Sequence, residues 1–120
     1  MNSEKIKNLL FALNNSIKTI EDSAVVLSDG FVIASHLEHN IDEEKLGTIS
    51  AALFGMANKA AQQFEKDEAQ HVLIKCNRSY IAMFKIDANA ALFVDFAADA
   101  KFDSIISEAM KSCQLLAEFV

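Results

Sequence analysis

Asp29-Gly30 separates two apolar runs, Val25-Val26-Leu27-Ser28 and Phe31-Val32-Ile33-Ala34. Such a pair between β-forming runs predicts a hairpin with strands at about 23–28 and 31–36, closed by a type I′ turn. That turn needs positive φ at both central residues and suits the twist of the flanking strands. Both alternating faces of each run are apolar. A hairpin with one wet face would alternate apolar and polar residues, so this one is expected to be covered on both sides. Helical patterns lie before and after it, so the chain opens helix, hairpin, helix.

The 120 residues suit one domain, 1–120, with room for a true core. The hydrophobic fraction of 52% is high for a small monomer, which points to apolar surface buried against a second copy. Acidic residues outnumber basic ones, 17 to 11, and Arg78 is the one arginine. With no basic cluster to neutralise phosphates, neither nucleic acid nor an anionic membrane surface is an expected partner. The N-terminal residues lack the basic-then-apolar order of a signal peptide, and no apolar run reaches the length of a bilayer span. Cys76 and Cys113 are isolated in apolar surroundings and read as buried thiols of a reducing, cytoplasmic compartment. Proline is absent, and no linker or repeat divides the chain.

Residues 3–20 carry Ile6, Leu9, Leu10, Leu13, Ile17 and Ile20 at the spacing of one helical stripe, with Ser3 as the expected N-cap. Phe11 lies off that stripe. The segment from His36 to Ile41 reads as a polar connection. Asp42 caps a second helix to about Glu65, with Glu43 and Glu44 favourable in its first turn. Its main stripe is Leu46, Ile49, Leu53, Met56, Ala60 and Phe64. A neighbouring face carries Gly47, Ser50, Phe54, Ala57 and Ala61, whose small residues either admit another helix at close range or simply form helix well. Three strands follow, His71–Cys76, Tyr80–Ile86 and Ala91–Phe96. Turn-forming residues at 77–79 and 87–89 link them into an antiparallel meander. Asp99 is the expected cap of a last helix with Phe102, Ile105, Ile106, Ala109, Cys113, Leu116 and Val120 at helical spacing. The order α-β-β-α-β-β-β-α predicts an α+β fold, five antiparallel strands with helices on both faces.

No catalytic, cofactor or metal site emerges. His36 and His39 form H-x-x-H, only half a zinc site, which Glu38 and Asp42 could complete; the default is two solvated histidines. A thiolate would be penalised at either cysteine. Asp95 interrupts the apolar strand Leu92–Phe96, where a carboxylate near a strand end usually reaches solvent or a backbone amide. Arg78, in a turn, reads as solvated rather than as a finger on a phosphate. No G-x-G-x-x-G or G-x-x-x-x-G-K phosphate cradle occurs, and His71 has no evident carboxylate partner.

The run Ala24-Val25-Val26-Leu27-Ser28-Asp29-Gly30-Phe31-Val32-Ile33-Ala34, followed by Leu46-Gly47-Thr48-Ile49-Ser50-Ala51-Ala52-Leu53-Phe54-Gly55-Met56-Ala57, resembles the Roadblock family of dynein light chains and small-GTPase regulators. The likeness extends over nearly the whole chain. It implies a profilin-like sandwich that dimerises through its second helix and third strand. Carried onto this sequence, that interface is Gly47, Ser50, Phe54, Ala57 and Ala61 with Val72 and Ile74. It further implies a homodimer, or a heterodimer with another Roadblock chain, that binds and regulates or scaffolds a small Ras-like GTPase without supplying an arginine. Relatives carry docking tails, of which no long example is visible here.

Two other readings stand beside this one. The first is a structural adaptor, a dimeric light chain of a larger motor-type complex that accepts a peptide on a sheet edge or groove. The second is a small-ligand sensor or enzyme, which requires a cavity on which Tyr80, Asp95 or His71 converge. A charge placed at Phe54 is expected to weaken self-association.

Overall fold

The computed structural model describes residues 1–120. Three helices and five strands follow in the expected order: α1 (Ser3–Ser16), β1 (Ile20–Leu27), β2 (Val32–Leu37), α2 (Glu43–Gln63), β3 (His71–Lys75), β4 (Ser79–Asp87), β5 (Ala90–Ala97) and α3 (Phe102–Leu116). The strands form one antiparallel sheet ordered β2-β1-β5-β4-β3, so β1, β5 and β4 are interior and β2 and β3 are edges.

Helices α1 and α3 cover one face and α2 the other, which accounts for strands that are apolar in both registers. On β1, Val25 joins Ile6, Leu10, Phe96 and Ile105 in the α1/α3 layer, whereas Ala24 and Val26 join Leu46, Met83 and Phe93 beneath α2. One buried polar contact ties α1 to the sheet. Ser23 Oγ donates to Asn14 Oδ1 at 2.6 Å, and Asn14 Nδ2 donates to the Glu21 carbonyl at 3.2 Å.

Several local features differ from the sequence reading. The first helix is capped by Asn2, whose side chain accepts from Lys5 N–H, rather than by Ser3. It stops at Ser16 although the apolar spacing runs on to Ile20. Asn14, Asn15 and Ser16 are poor helix formers, and Ile20 reaches the same core from β1. The hairpin turn has positive φ at Gly30 alone (+93°), so it is not type I′. Leu27 O accepts from Gly30 N–H at 2.9 Å and Leu27 N–H donates to Phe31 O at 2.8 Å, a three-residue connection with a register shift beside it. Asp42 caps α2 as expected, accepting from Glu44 and Lys45 N–H. Asp99 does not cap α3; Lys101 stands at that position and makes no side-chain bond. Cys113 is buried, but Cys76 lies just beyond β3 and is exposed, because the strand ends at Lys75.

Candidate interaction surface and the buried carboxylate pair

Helix α2 turns toward the sheet the face that the sequence left open to a second helix. Gly47 and Ser50 are buried within the single chain, and Phe54, Ala57 and Ala61 are half-buried on the same side. Of the longer stripe only Leu46 is fully buried. Ile49 is 58% exposed, Met56 66% and Phe64 72%. The reason is steric: small residues let α2 settle on the hairpin, with Gly47 against Gly30 and Val32.

Strand β3 pairs only with β4, and no strand of this chain lies along its other edge. Val72 and Ile74 face α2 and are half-buried, while His71, Leu73 and Lys75 point to the opposite, less covered face. Ile74 shares an apolar groove of about 360 Å³ with Ile49 and Leu53 of α2, Ile81 and Met83 of β4, and Phe93 of β5. Open edge, groove and outer helix face therefore form one continuous apolar surface, the kind that associates with another protein.

Asp95 lines the same groove, and its surroundings were not foreseen. Asp22 and Asp95 stand opposite each other on β1 and β5, on the α2 face. The Asp22 side chain is wholly buried. Its Oδ1 accepts from Glu38 N–H at 2.7 Å and His39 N–H at 3.0 Å, and its Oδ2 lies 2.6 Å from His39 Nδ1. Asp95 Oδ1 accepts from the Asp22 amide at 2.8 Å, so Asp95 does reach a backbone amide. Burial, then a hydrogen bond to Asp22 and the Asp22 charge, push the Asp95 carboxyl up to about 7. Burial alone would raise Asp22, but hydrogen bonds from Asp95, the His39 ring and the amides of His39 and Glu38 hold it below the usual carboxylate range. The Asp22 hydrogen bond and charge raise His39.

His39 is therefore not an isolated solvated residue, and H-x-x-H does not converge. Residues three apart on extended chain face opposite ways, so the His36 ring packs edge-on against Phe11 of α1 at 5.3 Å while His39 turns to Asp22. His36 lies in β2, not in a connection, and it gives the off-stripe Phe11 a partner. Donor atoms of Asp22, His39 and Asp95 lie within 4.8 Å of one another, but those of Asp22 are already engaged by two amides and an imidazole; neither Glu38 nor Asp42 joins them. Asp22 lies before the strand expected at about 23–28, so nothing in the local sequence pattern singles it out.

Other candidates scatter. Tyr80 stacks on Phe96 at 5.1 Å on the α3 side of the sheet, across from Asp95, and His71 packs against Phe84 on that same side. The groups that a small-ligand site would need do not share a cavity. Arg78 is exposed, and its carbonyl accepts from Ala98 N–H at 3.1 Å.

A five-stranded antiparallel sheet between two helices and one, with an apolar edge left open, defines a profilin-like sandwich. The Roadblock/LC7 domain model matches residues 6–96, and the chain belongs to that family. It is 32% identical over 89 residues to an uncharacterized protein of Methanocaldococcus jannaschii, covering 74% of this chain and 75% of that one. Among solved structures it superposes on Myxococcus xanthus MglB with a TM-score of 0.90 at 17% identity, over 97% of this chain and 87% of MglB. Profilin IB of Acanthamoeba castellanii superposes with a TM-score of 0.69 at 14% identity, over 93% and 96% of the two chains. No helix is long and apolar enough to cross a membrane.

Proposed function

We propose that this chain is a non-catalytic, self-associating module that binds a small Ras-like GTPase and regulates or scaffolds it. One observation carries the self-association: the unpaired edge of β3 lies beside exposed Ile49, with Ile74 and Leu53 in the groove between strand and helix. A second copy placed about a two-fold axis pairs β3 with its equivalent and covers both helix faces with one self-complementary surface. Val72 and Ile74 lie in the joining strand, and Phe54, Ala57 and Ala61 border the contact. Gly47 and Ser50 set how closely α2 lies on the sheet and so aim its outer face.

The GTPase reading is supported by membership of the Roadblock/LC7 family, which the sequence resemblance links to small-GTPase regulators. Arg78 lies exposed in the turn between β3 and β4, and its carbonyl is held by Ala98 N–H. The test is co-purification with Ras-like GTPases from the source cell, each loaded with GDP or with a non-hydrolysable GTP analogue. Retention of one of them in a nucleotide-dependent manner is the expected result; retention of none in either state removes the GTPase partner and leaves a dimeric adaptor.

A further inference from the structure

We propose that Asp95, Asp22 and His39 form a proton-operated latch at the end of the groove beneath α2, in which Asp95 turns inward onto Asp22 when protonated and outward into the groove when ionised. The geometry carries this. The β1–β5 ladder shifts register between Ile20 and Asp22, and there the Asp22 N–H donates to the Asp95 side chain. The two carboxyls face each other across neighbouring strands, an arrangement that two full negative charges disfavour. Asp22 cannot move away, because it is wholly buried and holds the 38–39 connector through three hydrogen bonds. Asp95 is partly exposed and borders an opening lined by Ile74, Ile81 and Met83. It is therefore the member free to turn.

The surrounding charges bear on how readily Asp95 ionises in its inward position. Glu21 on β1 adds negative potential to both Asp95 and His39. Glu38 is next to His39 in the connector, and Asp42 and Lys45 from the first turns of α2 line the groove with Asp95. Lys45 is the cation on that wall. His39, held on Asp22 and 57% exposed, is raised above its ordinary value by that hydrogen bond and by the Asp22 charge. Raising the pH through neutrality thus puts a charge on the wall of an otherwise apolar groove. The network lies within one chain and is independent of the partner.

The experiment is carbon-detected NMR of the side-chain carboxyls of the full chain, with hydrogen exchange of the Asp22 amide at about pH 6 and about pH 8.5. Expected are a midpoint near neutrality for Asp95 and a loss of Asp22 amide protection of about tenfold or more at the higher pH, after correction for intrinsic exchange. Asp95→Asn keeps a neutral donor in place and should make that protection independent of pH. Asp22→Asn removes the facing charge and should lower the Asp95 midpoint. An Asp95 midpoint in the ordinary carboxylate range, equal Asp22 protection at both pH values, or a wild-type pH response in Asp95→Asn would each overturn the latch.

Discussion

Gly47 of α2 lies directly against the carbonyl of Gly30 in the hairpin turn. A Cβ at Gly47 would overlap that oxygen and come within 3.1 Å of Val32 Cγ2. Neither neighbour can yield cheaply: Gly30 has φ +93°, a conformation that other residues rarely adopt, and Val32 begins β2. Gly47→Ala should therefore destabilise the fold by about 1–3 kcal/mol although alanine is the better helix former. Chemical denaturation reads this as a lower midpoint with unchanged slope. Gly55, which has open space around its Cβ position, is the control; Gly55→Ala should be neutral or stabilising.

Glutamate at Ile49 or Met56 should weaken self-association at least about tenfold while leaving the protomer folded, because both side chains stand outside its core. Analytical ultracentrifugation across a concentration series checks this. Phe54→Asp is a poorer probe than sequence spacing implied. Phe54 packs on the cluster of Ala24, Val26 and Met83, so a charge there should unfold the protomer along with any dimer.

Ser23 Oγ and Asn14 Oδ1 bond at 2.6 Å between β1 and α1, out of reach of solvent. Ser23→Ala leaves the Asn14 oxygen without its donor and should cost about 1–3 kcal/mol. Replacing both residues with apolar ones of similar size should recover part of the loss, a double-mutant cycle followed by thermal unfolding.

The two thiols should separate cleanly in the native protein. Burial pushes Cys113 up to about 12, whereas Cys76 is exposed at the β3–β4 turn. Mass spectrometry after brief treatment with a maleimide near neutral pH should show one adduct, on Cys76. Cys113 should react only after denaturation.

Stability should fall between mildly acidic and mildly alkaline pH. The Asp95 carboxyl, raised from the ordinary 3.8 to about 7, binds a proton in the folded state that the unfolded chain has already released. Its contribution is complete below about 4 and is lost as pH rises through about 7. His39, raised above 6.5, contributes below 6.5 and loses that contribution at higher pH. Asp22, lowered, contributes above 3.8 and loses stability on acidification. Urea unfolding across this range should show the decline toward pH 8, and Asp95→Asn should flatten its largest part.

Local physics written into neighbouring residues was open to reading from the chain alone. The spacing of Ile6, Leu10 and Leu13 makes a helix with one buried side, Asp42 accepts from the amides it is expected to cap, and short polar links force β3, β4 and β5 into a meander. Apolar residues on both faces of β1 required cover on both sides, and the layers supply it. The family likeness rests on these same segments. Tertiary structure alone decided which side of α2 meets the sheet, since two adjacent stripes satisfy helical period equally well. Contact between Gly47 and Gly30, 17 positions apart in sequence, settles it. It also decided that Asp22, His39 and Asp95 meet, because cross-strand register rather than local spacing sets residues 22 and 95 opposite each other. Helix period and capping act over a few residues and are carried by composition; facing and pairing are set by three-dimensional fit, which no short window of sequence contains.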